Sequence, residues 1–326
     1  MPVIHPLNLF PVGSCLRPHA FGVQQFRGDN GGVTSQTDSP RIVFVDIDGT
    51  LVEHGYPVSP ATIEAIQTAR SNGHQVFICT GRGEVDIPSE IRDIGFDGEI
   101  TNGGALARVG GEEVFSSSMS EEMAQHALDY LKGLDVGLFL QSIDQSFADE
   151  RALQLTLEFD EQHRKNRDDD LRAQGIDPET VPYVTTFGDV ALTFPPLEDA
   201  APGEIVKIIC VSNSEENIDR LVEDLGPDFH IIPGSMPLTA GSSAEICAPG
   251  MTKGFAITEV LNHLGIEARH SVGIGDSWND YEMFQVVNDA VVMANADPDL
   301  KVHANYETDT VYGDGLAKAF DMLGLV

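Results

Sequence analysis

Two aspartates lie one residue apart in Asp46-Ile47-Asp48-Gly49-Thr50, and this spacing allows their carboxylates to act together. One carboxylate can attack an electrophile while the other donates and then accepts a proton. A divalent cation could also bridge one side chain and a nearby carbonyl oxygen. An ordinary turn is one alternative, because Asp and Gly both favour turns. A calcium loop is another, although Gly49 comes too early for the EF-hand spacing.

A second acidic group occurs in Gly275-Asp276-Ser277-Trp278-Asn279-Asp280. Both acidic groups directly follow short apolar runs, at 41–45 and 271–275, which are typical of buried parallel strands. Because parallel strands end at one edge of their sheet, we expect the two groups to form a site for a hard cation such as Mg²⁺. Helix capping is the alternative reading, since Ser, Asn and Asp favour the first helical position.

Two further polar positions could hold a phosphate group. Thr80-Gly81 follows a second apolar strand, where a hydroxyl and free backbone N–H groups can bind a phosphate oxygen. A simple strand-ending turn explains this pair equally well. Lys253 begins a predicted helix, although a helix N-terminus favours negative charge. A bound anion would account for Lys253, and a solvated lysine is the ordinary alternative.

The elements that must position these residues follow two rhythms along the chain. Strands at 41–45, 74–79 and 99–101 alternate with a helix that starts after Ser59 and ends before Gly73, and this rhythm predicts a parallel sheet. From 106 to 247 the pattern changes and predicts helices at 120–133, 150–174 and 214–225 and strands at 136–141, 189–194, 205–211, 229–232 and 243–247. The parallel rhythm returns with helices at 252–264, 279–287 and 315–323 and strands at 271–275 and 290–293.

These rhythms predict an α/β fold in which an α+β cap domain, residues 106–247, is inserted into a parallel-sheet core formed by 41–105 and 248–326. Residues 1–40 have no sustained periodicity and many Gly, Pro, Asn, Gln and Ser residues, so we predict a mobile N-terminal extension. The mixed-charge run from Asp160 to Arg172 is interpreted as a solvated helix face.

Composition excludes several classes of partner. The 326 residues carry a formal net charge of −33, which argues against a nucleic-acid or anionic-membrane surface. The four cysteines are far apart and indicate neither a zinc site nor a disulfide framework. No apolar run approaches the roughly 18 residues of a membrane helix, and we predict a cytoplasmic protein.

Taken together and in this order, the four segments resemble the haloacid dehalogenase superfamily of phosphohydrolases. Further matches are similar to its Cof-type branch: Thr101-Asn102-Gly103-Gly104-Ala105, Glu245-Ile246, Met283 and Gly313-Asp314-Gly315. The resemblance covers 41–326 and implies a Rossmann-like core with a large α/β cap inserted after the third strand. It also implies dependence on Mg²⁺.

The resemblance implies a role for each motif. Asp46 would be the nucleophile that forms an aspartyl-phosphate, and Asp48 would be the general acid and then the base. Thr80, Gly81, Lys253 and Asn279 would hold the phosphate. The metal would be bound by Asp46, the backbone carbonyl of Asp48 and Asp276. Asp280 would contact these ligands and not the metal itself. Asp48 must carry a proton at the first step, and we expect the charge of its neighbour and partial burial to raise its pKa.

The residue type at position 48 also distinguishes related reactions. Family ATPases resemble this pattern but have a threonine at that position. We therefore predict a phosphatase that hydrolyses small phosphorylated metabolites, with sugar phosphates favoured. The alternatives are a phosphomutase that uses the same aspartyl-phosphate and a noncatalytic sensor of a phosphorylated ligand. The oligomeric state stays open.

The cap supplies substrate selectivity in this family, and its predicted length exceeds that of the usual Cof-type cap. Arg82, Arg108 and the cluster at 163–167 are candidate specificity groups, with solvated charge as the alternative.

Overall fold

A computed structural model describes residues 39–234, 236 and 238–326. The predicted extension, residues 1–40, lies outside the described residues except for Ser39 and Pro40. The strands are Ile42–Val45 (β1), Gln75–Cys79 (β2), Gly98–Thr101 (β3), Leu106–Val109 (β4), Glu112–Ser116 (β5), Gly137–Gln141 (β6), Ser146–Ala148 (β7), Lys207–Ser212 (β8), His230–Pro233 (β9), Ser242–Cys247 (β10), Ser271–Gly275 (β11), Asp289–Val292 (β12) and Tyr306–Glu307 (β13). The α-helices are Pro60–Ser71 (α1), Ser89–Arg92 (α2), Glu121–Leu131 (α3), Glu150–Ala173 (α4), Phe187–Ala191 (α5), Glu215–Leu225 (α6), Lys253–Leu264 (α7), Tyr281–Val286 (α8), Pro298–Lys301 (α9) and Gly315–Met322 (α10).

The larger sheet has eight strands in the order β13-β12-β11-β1-β2-β3-β4-β5. The six strands from β13 to β3 are parallel, and β4 and β5 continue the sheet in antiparallel fashion. Strand β1 lies between β11 and β2, so the chain segments that follow these three strands leave the same edge at its centre. Such an edge is where open α/β sheets bind ligands.

Two apolar clusters cover the faces of this sheet, because alternate side chains of a strand point to opposite faces. Val43 and Val45 pack with α1 and α10 on one face. Ile42 and Phe44 pack with α7 and α8 on the other. Burial on both faces explains the continuous apolar runs seen in the sequence.

The smaller sheet has five antiparallel strands in the order β7-β6-β8-β10-β9. Helices α3 and α6 pack on one face through an apolar cluster that includes Leu140 and Ile208. Helices α4 and α5 cover part of the other face, where Phe139 and Ile209 are buried. All five strands lie within the predicted cap, whereas β4 and β5, which were also placed there, pair with the larger sheet. The exact domain bounds stay a prediction.

Most predicted elements occur within a few residues of their expected positions, but the strand predicted at 189–194 is wrong. Residues 187–191 form helix α5, because Thr186 caps it: its hydroxyl accepts from the N–H of Asp189, whose carboxylate accepts in return from the N–H of Thr186. The short strands β7 and β13 were not predicted, since runs of two or three residues carry no periodicity. None of the helices among the described residues has the length and apolarity of a membrane span.

A buried carboxylate joins the two sheets. Asp86, which is fully buried, follows β2 by seven residues and accepts hydrogen bonds from Gln141 Nε2 of β6 at 3.2 Å and Ser146 Oγ of β7 at 2.8 Å. The backbone N–H of Gly83 also donates to it. Burial raises the pKa of Asp86, and these donors oppose the rise only in part.

We expect Asp86 to make stability depend on pH. Its raised pKa means that the native state binds the proton more tightly than the unfolded chain, so its contribution to the free energy of unfolding falls as pH rises from about 3.9 to the folded pKa. The Asp86→Asn variant lacks this titration. Urea unfolding of both proteins from pH 4 to 8 should therefore give a difference in unfolding free energy that moves in favour of the variant as pH rises. A difference that moves the other way would contradict this account.

Candidate active site

The parallel strands deliver the predicted site residues to one edge. Asp46 directly follows β1, Thr80 follows β2 and Asp276 follows β11. Asp46 is only 3% exposed and Thr80 only 1%, although both line a cavity at this edge. Asp46, Thr80 and Asp276 are distant in sequence. They meet because β1 pairs with β2 on one side and with β11 on the other.

Lys253 connects three of the predicted residues. Its ammonium is 1% exposed and donates to Asp46 Oδ1 at 2.8 Å, Asn279 Oδ1 at 2.8 Å and Asp280 Oδ1 at 2.7 Å. The three donors of a lysine are thereby all used. Burial alone would lower the pKa of Lys253, but the Asp280 and Asp46 carboxylates raise it, so the side chain stays charged.

Asp280 also shapes the loop that carries Asp276. Its Oδ2 accepts from the backbone N–H groups of Asp276 at 3.0 Å and Ser277 at 3.1 Å. Both oxygens of Asp280 are therefore occupied, one by Lys253 and one by the loop. This carboxylate positions Asp276 and Lys253, and its expected role next to the metal ligands stays a prediction.

Two residues that the sequence analysis did not identify hold Asp276. Thr50 Oγ1 donates to Asp276 Oδ1 at 3.0 Å, and Asn295 Nδ2 donates to Asp276 Oδ2 at 2.9 Å. Asn295 also donates to the carbonyl of Gly49 at 3.1 Å. A signal for Asn295 was available, since it follows β12 and so lies at the same edge of the sheet.

The acidic groups carry more negative charge than Lys253 can balance. Oxygens of Asp46, Asp276 and Asp280 all lie within 4.8 Å of one another. Burial, above all, raises the pKa of Asp46 to about 7, with further contributions from Asp280 and Asp48 against the lowering effect of Lys253. Burial, followed by the charges of Asp46 and Asp280, raises the pKa of Asp276 well above its usual value. An added divalent cation would relieve this repulsion.

The donor set fits Mg²⁺. Carboxylate and carbonyl oxygens are its preferred ligands, and one or two carboxylates with substrate phosphate and water complete its usual shell. Asp46 and Asp276 offer carboxylate oxygens beside each other, and the backbone carbonyl of Asp48 is the remaining predicted ligand. The metal roles of these residues remain proposals.

The structure corrects the expectation for Asp48. Arg82 donates to both of its oxygens, from Nε at 2.8 Å and from a terminal nitrogen at 2.6 Å. Desolvation would raise the pKa of Asp48, but the charge and hydrogen bonds of Arg82 hold it below the usual value. The expected rise in pKa is therefore wrong for this arrangement, in which Asp48 is ionised. Arg82, one of the candidate specificity groups, binds the second aspartate.

A cavity of about 290 Å³ extends from these residues to the smaller sheet. Six of the predicted site residues line it: Asp46, Asp48, Thr80, Gly81, Asp276 and Asn279. The opposite wall is lined by four side chains of the smaller sheet, namely Gln141, Lys207, Ile209 and Glu245. The alternation of strand side chains and the register of β6, β8 and β10 place these four side chains on one face.

The other candidate specificity groups lie elsewhere. Arg108 pairs with Glu84 at 3.0 Å, outside this cavity. Arg167 is buried and donates to the carbonyls of Val181 and Pro182, so it supports the cap structure.

The interpretation of the run from Asp160 to Arg172 as a solvated face is wrong at its first residue and at Arg167. Asp160 is 3% exposed and lines the cavity, because α4 packs its N-terminal half against the smaller sheet. Its carboxylate lies 2.8 Å from His54 Nε2. Sequence reasoning missed it because a single acidic residue in a charged helix has no distinguishing pattern.

The model of haloacid dehalogenase-like hydrolases matches residues 43–320. The chain belongs to this family. A curated relative, the 5-amino-6-(5-phospho-D-ribitylamino)uracil phosphatase of Bacillus subtilis, is 27% identical over 289 residues, which are 87% of this chain and 98% of that protein. The phosphoglycolate phosphatase of Nitrosopumilus maritimus is 24% identical over 287 residues, 87% of this chain and 96% of that protein.

The fold of this hydrolase also matches solved structures. A sugar phosphatase of haloacid dehalogenase subclass IIB has a TM-score of 0.70 and 25% identity, with 88% of this chain and all of that chain covered. The match confirms the predicted α/β fold class and its parallel-sheet core. Since relatives that match along nearly their whole length are phosphatases, the hydrolase is a phosphatase.

Replacement of Lys253 by methionine tests the central ion pairs. We expect Lys253→Met to lower the free energy of unfolding by about 3–5 kcal/mol, because Asp46 and Asp280 would stay buried without their cation. Urea unfolding with a chelator present measures this loss. Lys318→Met is the control, since Lys318 is 58% exposed in its pair with Asp309, and it should have far less effect. Equal losses in the two variants would contradict the proposed importance of Lys253.

Replacement of Gly49 tests the support of Asp276. Gly49 has φ +80°, and an added Cβ would overlap the Asp276 carboxylate. Gly250 has φ +79° with nothing within 4 Å, so Gly250→Ala carries the same backbone cost of about 1–2 kcal/mol without that overlap. We expect only Gly49→Ala to weaken Mg²⁺ affinity, by about 10-fold or more, as measured by stabilisation against thermal unfolding in a MgCl₂ titration. Equal affinities in the two variants would refute this role of Gly49.

Proposed function

We propose that this phosphatase hydrolyses small phosphorylated metabolites, with phosphorylated sugars or polyols favoured, through an aspartyl-phosphate on Asp46 and with Mg²⁺ as cofactor. The observation that carries the proposal is the buried ammonium of Lys253 bonded to Asp46, Asn279 and Asp280 beside a cavity. Transfer of a phosphoryl dianion to a carboxylate requires a nucleophile and positive charge beside it, which Lys253 supplies and which a divalent cation held by the surrounding carboxylates would increase.

In the first step, an Asp46 oxygen forms a bond to phosphorus while the bond from phosphorus to the leaving oxygen breaks. The positive charge of Lys253, the Thr80 hydroxyl and the N–H of Gly81 stabilise the phosphoryl oxygens. Bound Mg²⁺ would supply further positive charge, held by Asp46, the Asp48 carbonyl and Asp276. Without these cations the approach of a carboxylate to a phosphate dianion is strongly unfavourable.

Asp48 handles the protons of both steps. For the first step one oxygen of Asp48 takes up a proton, because an ionised carboxylate has no proton to donate, while the other oxygen still accepts from Arg82. Asp48 gives this proton to the leaving oxygen. In the second step the ionised Asp48 removes a proton from water, the water oxygen bonds to phosphorus, and the Asp46–phosphorus bond breaks to release phosphate. The Arg82 pair stabilises this ionised form between turnovers.

The relatives support a small phosphorylated substrate. The Bacillus subtilis relative is named for a phosphorylated ribitylamino-uracil, and the structural relative is a sugar phosphatase. The cavity volume of about 290 Å³ is also that of a small-molecule site.

Stopped-flow kinetics with 4-nitrophenyl phosphate and MgCl₂ test the two aspartates separately. Nitrophenolate leaves without protonation, so Asp48→Asn should still transfer the phosphoryl group to Asp46 but should hydrolyse it slowly. We expect a burst of nitrophenolate equal to the enzyme concentration, followed by a rate at least about 100-fold below that of the unmodified enzyme. Asp46→Asn should show neither burst nor turnover.

Turnover by Asp46→Asn would refute the proposed nucleophile, and turnover that survives a chelator would refute the metal requirement. A hexose 1-phosphate distinguishes the phosphomutase alternative, which yields the 6-phosphate in place of inorganic phosphate. A noncatalytic sensor would bind phosphorylated ligands without any turnover.

A further inference from the structure

The part of the cavity beyond the phosphate site has an apolar wall. This wall is formed by four side chains of the inserted segment, namely Phe159, Phe187, Ile209 and Met236. Phe187 is half-buried, and its ring packs edge-on against Phe139 with centroids 5.2 Å apart. Because neighbouring rings hold it in place, this wall presents a preformed aromatic surface to a ligand.

The basic side chains of the cavity already have carboxylate partners. Arg82 is bonded to Asp48, and the ammonium of Lys207 lies 3.0 Å from Glu245 Oε2 and also donates to the carbonyl of Gly81. His54 contacts Asp160 at 2.8 Å. Each basic side chain among the described residues that line the cavity therefore has a carboxylate partner.

The cavity lining is also acidic as a whole. Its carboxylates are Asp46, Asp48, Glu53, Asp160, Glu245 and Asp276, against the lysine, the arginine and the histidine named above. The positive charge of Lys253 beside Asp46 favours a substrate phosphate, whereas a second acidic group on the leaving side would face carboxylates, and the basic side chains there are already paired. Burying such an unpaired charge is strongly unfavourable.

From the apolar wall and the paired basic side chains we infer that the leaving alcohol of the substrate is uncharged and carries a flat, uncharged ring. This inference rests on the proposed phosphatase function and concerns the same site. It assigns ring contact to Phe159 and Phe187. It also excludes phosphate esters with a second acidic group, such as phosphoglycolate, although some relatives of this chain are phosphoglycolate phosphatases.

Two matched substrate pairs test the inference on the unmodified enzyme with MgCl₂. Uridine 5′-monophosphate differs from ribose 5-phosphate by an uncharged ring, and we expect its kcat/KM to be at least about 10-fold higher. Phosphoglycolate differs from 2-hydroxyethyl phosphate by a carboxylate in place of an alcohol, and we expect its kcat/KM to be at least about 10-fold lower. Release of inorganic phosphate measures all four reactions.

Variants locate the preference. Phe187→Ala should lower kcat/KM for uridine 5′-monophosphate by about 10-fold and leave that for ribose 5-phosphate within about 2-fold, because only the first substrate reaches the aromatic wall. Phe255→Ala is the matched control, since Phe255 is 41% exposed on α7 and does not line the cavity. It should leave the ratio of the two substrates unchanged.

A charge variant tests the second half of the inference. Glu245→Gln removes the carboxylate partner of Lys207 and keeps the shape of the side chain. We expect the ratio of kcat/KM for phosphoglycolate to that for 2-hydroxyethyl phosphate to rise by about 10-fold, because the freed ammonium can pair with the second acid. Asp299→Asn removes an exposed carboxylate outside the cavity and should leave this ratio unchanged.

Equal rates for the ring-bearing and ring-free riboses, or a preference for phosphoglycolate in the unmodified enzyme, would overturn the inference while the phosphatase function stands. The function itself fails by a different result, namely no phosphate release from any ester or full release by Asp46→Asn. The two failures are therefore distinguishable.

Discussion

The site depends on the buried ammonium of Lys253. It is bonded to Asp46, Asn279 and Asp280, which follow two different strands of the larger sheet. Removing one partner of such a buried group leaves charge without compensation, so the strand ends are locked to α7 by electrostatics as well as by packing. The same ammonium fixes the carboxylate of Asp46, the proposed nucleophile.

The excess of carboxylates around Lys253 makes the site ready for a divalent cation. Lys253 holds Asp46, and Thr50 and Asn295 hold Asp276, so protein contacts fix both carboxylates. Such preorganisation limits the reorganisation that binding and phosphoryl transfer require. Arg82 extends this charge network to Asp48 and favours the ionised form of that carboxylate.

The contacts between the two sheets connect catalysis with selectivity. Asp86 receives hydrogen bonds from β6 and β7, and Lys207 of β8 donates to the carbonyl of Gly81. The wall of the smaller sheet is therefore fixed against the loop that follows β2 and supplies Thr80 and Gly81. In the proposed reaction, the leaving group would therefore meet side chains of the smaller sheet, and these would influence substrate choice.

Much of the fold was predictable, because buried parallel strands and capped helices leave strong local patterns. The first strand, the strand before Asp276 and the helix that begins at Lys253 were found within a residue or two. Helix α5 was predicted as a strand because so short a run of apolar residues fits the periodicity of a strand as well as that of a helix. The capping box at Thr186 favours the helix. The burial of Asp160 was also missed, because it depends on how α4 packs on the smaller sheet.

The sequence by itself determined which chemical groups follow each strand and in what order, and hence the family and the type of reaction. Only the tertiary structure decided which charges are paired. Arg82 binds Asp48 across 34 residues of chain, and Lys207 binds Glu245 across 38. Such pairs depend on strand register, side-chain direction and burial, none of which is encoded in local spacing. The physical reason is that electrostatic partners are chosen by distance in space, whereas a motif records only distance along the chain.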